Sequence, residues 1–146
     1  MATVAHLLSK KGRQVFTMTP DQTVMDALRM MDEKNIGAVV IAEGQRVVGI
    51  FSERDYARRG ILKGNTEKTP LSQVMSTTVF SIDPDQSVGA CLGTMTDRHI
   101  RHLPVMKEGR LVGIISIGDV VKAIIEEKQS TIVSLENFLV SNENPF

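Results

Sequence analysis

The segment VVGIFSERD at residues 47–55 returns as LVGIISIGD at residues 111–119. Aligning Val47 with Leu111 defines a repeat register that extends outward without a gap, so that residues 15–61 align with residues 79–125. Self-similarity at one fixed spacing indicates a repeated structural unit. The chain of 146 residues is therefore a duplication of a shorter unit.

Each copy predicts the order strand, helix, strand, strand, helix. A short apolar run is followed by Pro-Asp-Gln, a turn signal, and then by a helix with apolar residues at i, i+3, i+4 and i+7. Thr23 and Ser87 are the expected N-caps of these helices, and Thr23 with Asp26 predicts a capping box. A polar turn containing glycine joins the two later strands, and a further helix follows. The predicted strands cover residues 15–18, 38–42 and 47–52 in the first copy and residues 79–82, 102–106 and 111–116 in the second.

A single unit of this size has too small a core to be stable alone. We therefore expect an α+β fold in which the two units pack sheet against sheet with pseudo two-fold symmetry. On a final amphipathic helix, Ile132, Leu135 and Leu139 mark an apolar stripe. The expected divisions are an N-terminal segment at 1–14, the first copy at 15–62, a polar linker at 63–73, the second copy at 74–127, and a C-terminal helix and tail at 128–146.

The composition argues against several classes of protein. Lys+Arg and Asp+Glu balance at 17 each, whereas nucleic-acid-binding proteins carry a basic excess. Aromatic residues make up 4% and Trp is absent, which disfavours a base-stacking platform. No apolar run reaches the roughly 18 residues that span a bilayer, and the N-terminus lacks the pattern of a signal peptide. The single Cys91 favours a reducing compartment, so we expect a cytoplasmic protein with no membrane or nucleic-acid partner.

The duplicated order of elements, with a G-h-h-S-x-x-D segment closing each hairpin, resembles the cystathionine beta-synthase (CBS) domain pair, or Bateman module. The matching segments are Gly49 to Asp55 and Gly113 to Asp119. The second copy also carries the family's strand pattern Ile100-Arg101-His102-Leu103-Pro104-Val105. The resemblance identifies residues 15–62 and 74–127 as CBS domains. It implies a free-standing member of the family, regulatory rather than enzymatic, with no catalytic cofactor.

The resemblance also implies a bound adenosine derivative (AMP, ADP, ATP or NAD(H)) in two related clefts between the repeats. Aspartate can accept hydrogen bonds from both ribose hydroxyls, a serine hydroxyl lies beside it, and the next helix offers free N–H groups to a phosphate. In relatives, each cleft takes its Ser-x-x-Asp from one repeat and much of its adenine wall from the other. Carried over here, the first cleft comprises Ser52, Arg54, Asp55, Val79, Ile100, Arg101, His102, Leu103 and Pro104. The second comprises Val15, Ile36, Gly37, Ala38, Val39, Ser116 and Asp119.

The two clefts are expected to differ in charge. Arg54 and Arg101 bring positive charge to the first cleft, and His102 adds more below neutral pH. Because cationic side chains make the stronger contacts to phosphate, the first cleft should hold a nucleotide phosphate better. The second cleft, which faces Gly37 and Ala38, is expected to prefer a less charged ligand or to stay empty.

Two functions remain open. The leading hypothesis is a sensor that binds an adenine nucleotide and changes its contact with a partner protein. However, Ser-x-x-Asp at a helix start is also a capping box, which is purely structural. The alternative is therefore a ligand-free dimerisation module. In either case the resemblance implies a homodimer that pairs through the helices flanking the clefts, with the C-terminal stripe adding to the contact, and two-fold dimers are the commonest oligomers.

Other residue types that often carry chemistry are weaker candidates. His99 and His102 are close in sequence but have no cysteine or carboxylate cluster beside them, so no metal site is expected. Cys91 aligns with Ala27 on the apolar face of its helix, which favours a small buried side chain. A hydrolase or redox enzyme working through Cys91 is therefore disfavoured.

Overall fold

The structure, a computed structural model, describes residues 2–143 and contains two small sheets, one from each copy. In each copy two strands pair antiparallel, and in the first copy a short third strand adds in parallel. Ala38 lies opposite Ser52 just as His102 lies opposite Ser116, so the strand pairing follows the repeat register. The tandem α+β repeat is confirmed. The strands are β1 (Thr17–Met18), β2 (Ala38–Glu43), β3 (Arg46–Ser52), β4 (His102–Lys107) and β5 (Arg110–Ser116).

The helices begin at the predicted N-caps. The Asp26 N–H donates to Thr23 Oγ1 at 3.2 Å and the Thr23 N–H donates to Asp26 Oδ2 at 2.9 Å, which completes the capping box. Ser87 caps the matching helix of the second copy through its hydroxyl. Both helices end at a residue in the left-handed conformation, Asn35 and His99. The helices are α1 (Val4–Lys11), α2 (Val24–Lys34), α3 (Glu53–Asp55), α4 (Val88–Arg98) and α5 (Ile117–Glu143), with a π-helical turn at Tyr56–Gly60 and 3-10 turns at Ile61–Lys63 and Leu71–Gln73.

The first predicted strand of the second copy is reduced to a single bridge between Ile82 and Val105. In the first copy, β1 extends further because Thr17 also pairs with Val40. Pro104 stands at the position of Val40 in the second copy. Proline has no N–H to donate to a neighbouring strand, which shortens the ladder there.

The two copies exchange segments in their cores. α1 precedes the first copy, yet Val4, Leu7 and Leu8 are buried in the core of the second. Leu71 and Val74, which follow the first copy, complete the core of that copy. Burying one such leucine stabilises the fold by about 1.5–3 kcal/mol, so these segments hold the repeats together. The expected boundaries between the segments of the chain stay a prediction. Each core also contains residues from a segment that those boundaries place outside its copy.

The exchange of segments is symmetric, but the alignment that relates the two exchanged segments differs from the repeat register. The Val4 N–H donates to the Gln86 carbonyl as the Leu71 N–H donates to the Gln22 carbonyl, both at 2.8 Å. This exchange register matches Val4 with Leu71, whereas the repeat register would match Val4 with Lys68. The difference explains why a gapless alignment does not relate these segments.

Glycines mark the points where the exchanged segments touch the sheets. A Cβ on Gly113 would lie 2.8 Å from the side chain of Leu8, and a Cβ on Gly49 would lie 2.5 Å from that of Met75. Real Cβ atoms do not approach other atoms this closely, so an added Cβ would displace the side chain of the exchanged segment, and glycine at both positions allows its close approach.

The last helix is longer than the sequence analysis expected. α5 runs without a break from Ile117 to Glu143, so the second helix of the second copy and the separate C-terminal helix are one element. No glycine or proline interrupts residues 119–143, which leaves nothing to end the helix earlier. Residues 144–146 of the predicted tail lie outside the described residues.

The apolar stripe on α5 does not pack against the rest of the chain. The exposed fractions of Ile132, Leu135 and Leu139 are 53%, 58% and 56%. Despite this apolar surface, no helix within residues 2–143 is both long enough and apolar enough to cross a membrane.

Candidate functional site

Two clefts lie between the repeats, each with a volume of about 340 Å³. The first cleft is lined by the end of β3 and the start of α3, which face the start of β4. The second cleft is lined by the end of β5 and the start of α5, which face the start of β2 and the end of α1. Gly37 and His102 line both clefts, so the clefts lie side by side.

The structure brings most of the predicted site residues together, each cleft drawing on both repeats. The N–H of Glu53 bonds to the Gly37 carbonyl and the N–H of Ile117 bonds to the Arg101 carbonyl, so each Ser-x-x-Asp segment is tied to the strand beside it. The predicted residues that line the first cleft are Ser52, Arg54, Asp55, Val79, Ile100, Arg101, His102 and Pro104. Those that line the second are Val15, Ile36, Gly37, Ala38, Ser116 and Asp119.

Leu103 and Val39 are not cleft residues, contrary to the expectation from the resemblance. Both side chains are fully buried in the hydrophobic cores, Leu103 in the second and Val39 in the first. Side chains alternate between the two faces of a strand, so the neighbours of a cleft-facing residue point into the core. His102 and Pro104 therefore line the first cleft while Leu103 between them does not.

A capping box holds the carboxylate of the first cleft in place. The Ser52 N–H and the Ser52 hydroxyl both donate to Asp55 Oδ2, at 2.9 and 3.1 Å, and the Asp55 N–H donates to Ser52 Oγ at 3.2 Å. Within residues 2–143, Oδ1 of Asp55 accepts no hydrogen bond. Since a carboxylate offers about four acceptor positions, Asp55 can cap the helix and still accept hydrogen bonds from a ligand.

Asp119 is held in a similar way but also contacts a cation. The Ser116 N–H donates to Asp119 Oδ2 at 2.8 Å, and Lys11 Nζ donates to the same oxygen at 2.5 Å. Lys11 also donates to the Ile114 carbonyl at 2.8 Å. Burial raises the pKa of Asp119, but the Lys11 ammonium and the Ser116 hydrogen bonds outweigh it and lower the pKa below its usual value. Asp119 is therefore ionised at neutral pH.

His102 lies between the two clefts, and its ring approaches Gly37. A Cβ on Gly37 would lie 3.3 Å from His102 Nε2. Burial lowers the pKa of His102, and the cations Lys11 and Arg101 lower it further while the two cleft aspartates oppose them. The positive charge expected from His102 in the first cleft therefore develops only at a lower pH than for a free histidine.

Several cations that line the clefts are not among the predicted site residues. Arg58 and Arg59 line the first cleft from the π-helical turn after Asp55, where helical spacing beyond the motif was a usable signal. Lys11 lines the second cleft from α1. Because α1 lies outside the gapless repeat, no local pattern connects Lys11 with this cleft. The second cleft therefore contains a cation, which the expected difference in charge between the clefts did not include.

Each cleft also contains a phenylalanine that the sequence analysis did not assign. Phe80 lines the first cleft and Phe16 the second, and the repeat register matches the two. Arg98 lies 4.8 Å from the ring centroid of Phe80, and Lys34 lies 5.1 Å from that of Phe16. These are cation–π contacts, and the recurrence of phenylalanine in the repeat register was a signal available in the sequence.

Cys91 lies in the hydrophobic core of the second copy. Cys91 is fully buried, and burial raises the pKa of its thiol to about 11, so that the thiol is protonated at neutral pH. In the part of the chain that the structure describes, no group of three or more His, Cys, Asp or Glu side chains could hold a metal ion.

The repeats, their symmetric exchange and the paired clefts agree with a comparison against protein families. A family model for the CBS domain matches the chain twice, at residues 4–61 and 71–126. The chain belongs to the CBS domain family. As a CBS domain pair it is a regulatory module, and its clefts can be compared with those of known relatives.

Known CBS domain proteins resemble the chain over most of its length. It is 33% identical to the CBS domain-containing protein CBSX3, mitochondrial, of Arabidopsis thaliana, over 94% of this chain and 71% of that protein. It is 41% identical to a putative signal-transduction protein with CBS domains from Burkholderia ambifaria, with a TM-score of 0.82 over 86% of this chain and 95% of that one. The CBS domain pair of protein MJ0100, solved with 5′-methylthioadenosine and S-adenosyl-L-methionine, shares the fold at 22% identity with a TM-score of 0.76, over 87% of this chain and 98% of that one.

Proposed function

We propose that this CBS domain pair is a sensor that binds an adenine nucleotide (AMP, ADP, ATP or NAD(H)) in its clefts and thereby changes its contact with a partner protein. The observation that carries the proposal is the placement of Asp55 and Asp119. Each carboxylate lies at the wall of a cleft between the repeats, held by its own capping box and with Oδ1 unused within residues 2–143. A carboxylate held by one oxygen in this way can accept hydrogen bonds from ribose hydroxyls with the other.

The charge around the first cleft supports a phosphorylated ligand. Arg54, Arg58, Arg59 and Arg101 line this cleft, and all four residues are exposed. Guanidinium groups make charge-assisted and often bidentate hydrogen bonds to phosphate. We therefore propose the first cleft as the tighter site for a nucleotide phosphate.

Apolar surface in the same cleft supports a heterocyclic base. Val79, Phe80, Ile100 and Pro104 line it together with the charged residues. Binding sites for small molecules typically combine apolar walls with a few placed polar groups. The adenosine derivatives bound by protein MJ0100 support the same ligand class, because they show that this fold can hold them.

Binding of adenine nucleotides tests the proposal directly. The purified chain is denatured and its supernatant examined by mass spectrometry for copurified nucleotide, and the nucleotide-free chain is then melted with AMP, ADP, ATP or NADH. A ligand at 100 times its Kd stabilises the fold by about 2.7 kcal/mol, which for a chain of this length raises Tm by roughly 8–10 °C. If none of the four ligands raises Tm, the sensor proposal fails.

A ligand-free dimerisation module is the second candidate, and one observation favours it. Both Ser-x-x-Asp segments complete their capping boxes with partners in their own segment, so helix capping alone can account for these residues. In this case the module would form its dimer through the exposed apolar stripe of α5. The ligand screen described above separates the two functions, since only the sensor gains stability from a nucleotide.

Assembly and location complete the proposal. We propose a homodimer that buries the α5 stripe, because large exposed apolar patches mark interaction surfaces. The lone, buried and protonated Cys91 supports a reducing compartment, for which we propose the cytoplasm. Imaging of a tagged chain and its mass in solution test these two points.

A further inference from the structure

Lys11 lines the second cleft from α1, the helix that precedes the first copy and packs on the core of the second copy. Its ammonium donates to Asp119 Oδ2 and to the carbonyl of Ile114. The side chains of Lys11 and Asp119 are 34% and 26% exposed, so the pair is partly shielded from water. The carboxylate that would receive a ribose in this cleft is therefore already in contact with a cation.

The first cleft has a different residue at the matching place. In the exchange register, which matches Val4 with Leu71, Lys11 corresponds to Thr78. Thr78 lines the first cleft, where the second hydrogen bond to the carboxylate comes instead from the Ser52 hydroxyl. The charge contact is thus a property of the second cleft and not of the repeat.

A groove between α1 and α5, with a volume of about 720 Å³, adjoins the second cleft. Lys11 and Asp119 line both the cleft and the groove. Lys10 and Lys122 also line the groove, together with acidic residues of α5. A ligand that binds Asp119 and extends into the groove would therefore place its further groups beside Lys11.

The charge of the ligand determines which hydrogen bonds the Lys11 ammonium makes when the second cleft is occupied. The ribose hydroxyls of an uncharged nucleoside can bind Asp119 Oδ1, but they bring no anion to the Lys11 ammonium, which keeps only its contacts with Asp119 Oδ2 and the Ile114 carbonyl. A 5′-phosphate offers Lys11 an additional charge-assisted hydrogen bond. We propose that Lys11 makes the second cleft selective for 5′-phosphorylated adenine nucleotides over the uncharged nucleoside. This inference rests on the proposed nucleotide-binding function and reverses the sequence-based expectation of a less charged ligand in this cleft.

The test is calorimetry with AMP and adenosine on chains that carry Asp55→Ala, which removes the expected ribose acceptor of the first cleft. In that background Lys11→Met removes the charge but keeps the length and helix propensity of the side chain. We expect AMP binding to weaken roughly 10-fold or more, the value of one hydrogen bond to a charged group, while adenosine binding stays unchanged or tightens.

Matched variants distinguish the role of the Lys11 ammonium from a general effect of positive charge and from a loss of folding. Lys11→Arg keeps the cation and should keep the preference for AMP. Arg13→Met removes a nearby exposed cation that lines neither the second cleft nor the groove, and it should leave the preference unchanged. Lys11→Gln is a second neutral variant, and the melting temperature of every variant shows that it folds.

The possible results distinguish this inference from the proposed function. If Lys11→Met and Lys11→Gln leave the AMP-to-adenosine affinity ratio within about twofold, less than the roughly 10-fold that one charged hydrogen bond contributes, the selectivity role of Lys11 is refuted while nucleotide binding stands. If Asp55→Ala abolishes binding of both ligands but the unmodified chain binds AMP, the inference fails and the proposed function is restricted to the first cleft. If the unmodified chain binds no adenine nucleotide, both fail.

Discussion

Replacing Asp55 with alanine separates the capping role of this residue from its proposed role in ligand binding. The change removes the acceptor for the Ser52 N–H, a reciprocal bond of the capping box at the start of α3. It also removes the Oδ1 that accepts no hydrogen bond within residues 2–143 and is proposed to accept from ribose. Ser52→Ala is the matched control, because it removes the other half of the same box and leaves the carboxylate.

The capping role and the ligand-binding role of Asp55 predict effects of different magnitude. Loss of a helix cap costs about 1 kcal/mol of folding free energy, so both variants should melt roughly 3 °C below the unmodified chain. A hydrogen bond to a charged group contributes about 1.5–3 kcal/mol. Losing two such bonds to ribose should weaken AMP binding at least about 100-fold in Asp55→Ala. Ser52→Ala loses at most one neutral hydrogen bond to the ligand, so its AMP affinity should fall about 10-fold at most.

Calorimetric titration with AMP, together with thermal melts of each variant, measures both quantities. Asp119→Ala is the third variant and should leave the tight phase of the titration nearly unchanged, because four arginines line the first cleft. If Asp55→Ala and Ser52→Ala weaken AMP binding by the same small factor, Asp55 is only a cap. If Asp119→Ala abolishes the tight phase and Asp55→Ala spares it, the charge of the clefts does not set their order of affinity.

Two further predictions concern the rest of the chain. The Cys91 thiol should stay unreactive toward a disulfide reagent in the folded chain at about pH 8 and react fully in denaturant. Because burial disfavours the charged form, its thiolate absorbance should develop near a pKa of about 11 rather than 9.0. Rapid reaction in the native state would contradict the buried placement. Light scattering at micromolar concentration should return twice the mass of one chain. Leu135→Glu places a charge on the exposed α5 stripe and should lower the measured mass toward that of one chain. A single-chain mass for the unmodified protein would rule out the proposed dimer.

Much of the fold follows from the sequence because its causes are local. The repeat register aligns the hairpins, and the N-caps at Thr23 and Ser87 lie where short polar side chains precede an apolar helical pattern. The two Ser-x-x-Asp segments are equally local, since the motif itself places cap and carboxylate within one helical turn. For this reason the repeat and the α+β class could be predicted from the sequence, whereas the resemblance to the CBS domain pair supplied most of the cleft residues.

The orientation of side chains along the strands and the length of the last helix could be predicted only in part from the sequence. Leu103 and Val39 fall within motifs that resemble a ligand wall, but the alternation of side chains along a strand directs them into the cores. The single helix from Ile117 to Glu143 joins two elements that the repeat boundary had separated. Pro104 shortens the first strand pairing of the second copy, an effect that depends on which neighbour would need its N–H.

Two CBS-like repeats, each with a Ser-x-x-Asp at its cleft, can be recognised from the residues of the chain alone. Which residues from elsewhere in the chain complete those clefts depends on how the helices and sheets pack together. Lys11 and Asp119 lie near opposite ends of the chain, and the exchanged segments follow a register different from that of the repeat. Their contact arises because burial of Leu7 and Leu8 carries α1 onto the core of the other repeat. That burial is a non-local effect with no directional signal in sequence, so the charge of the second cleft is a consequence of packing.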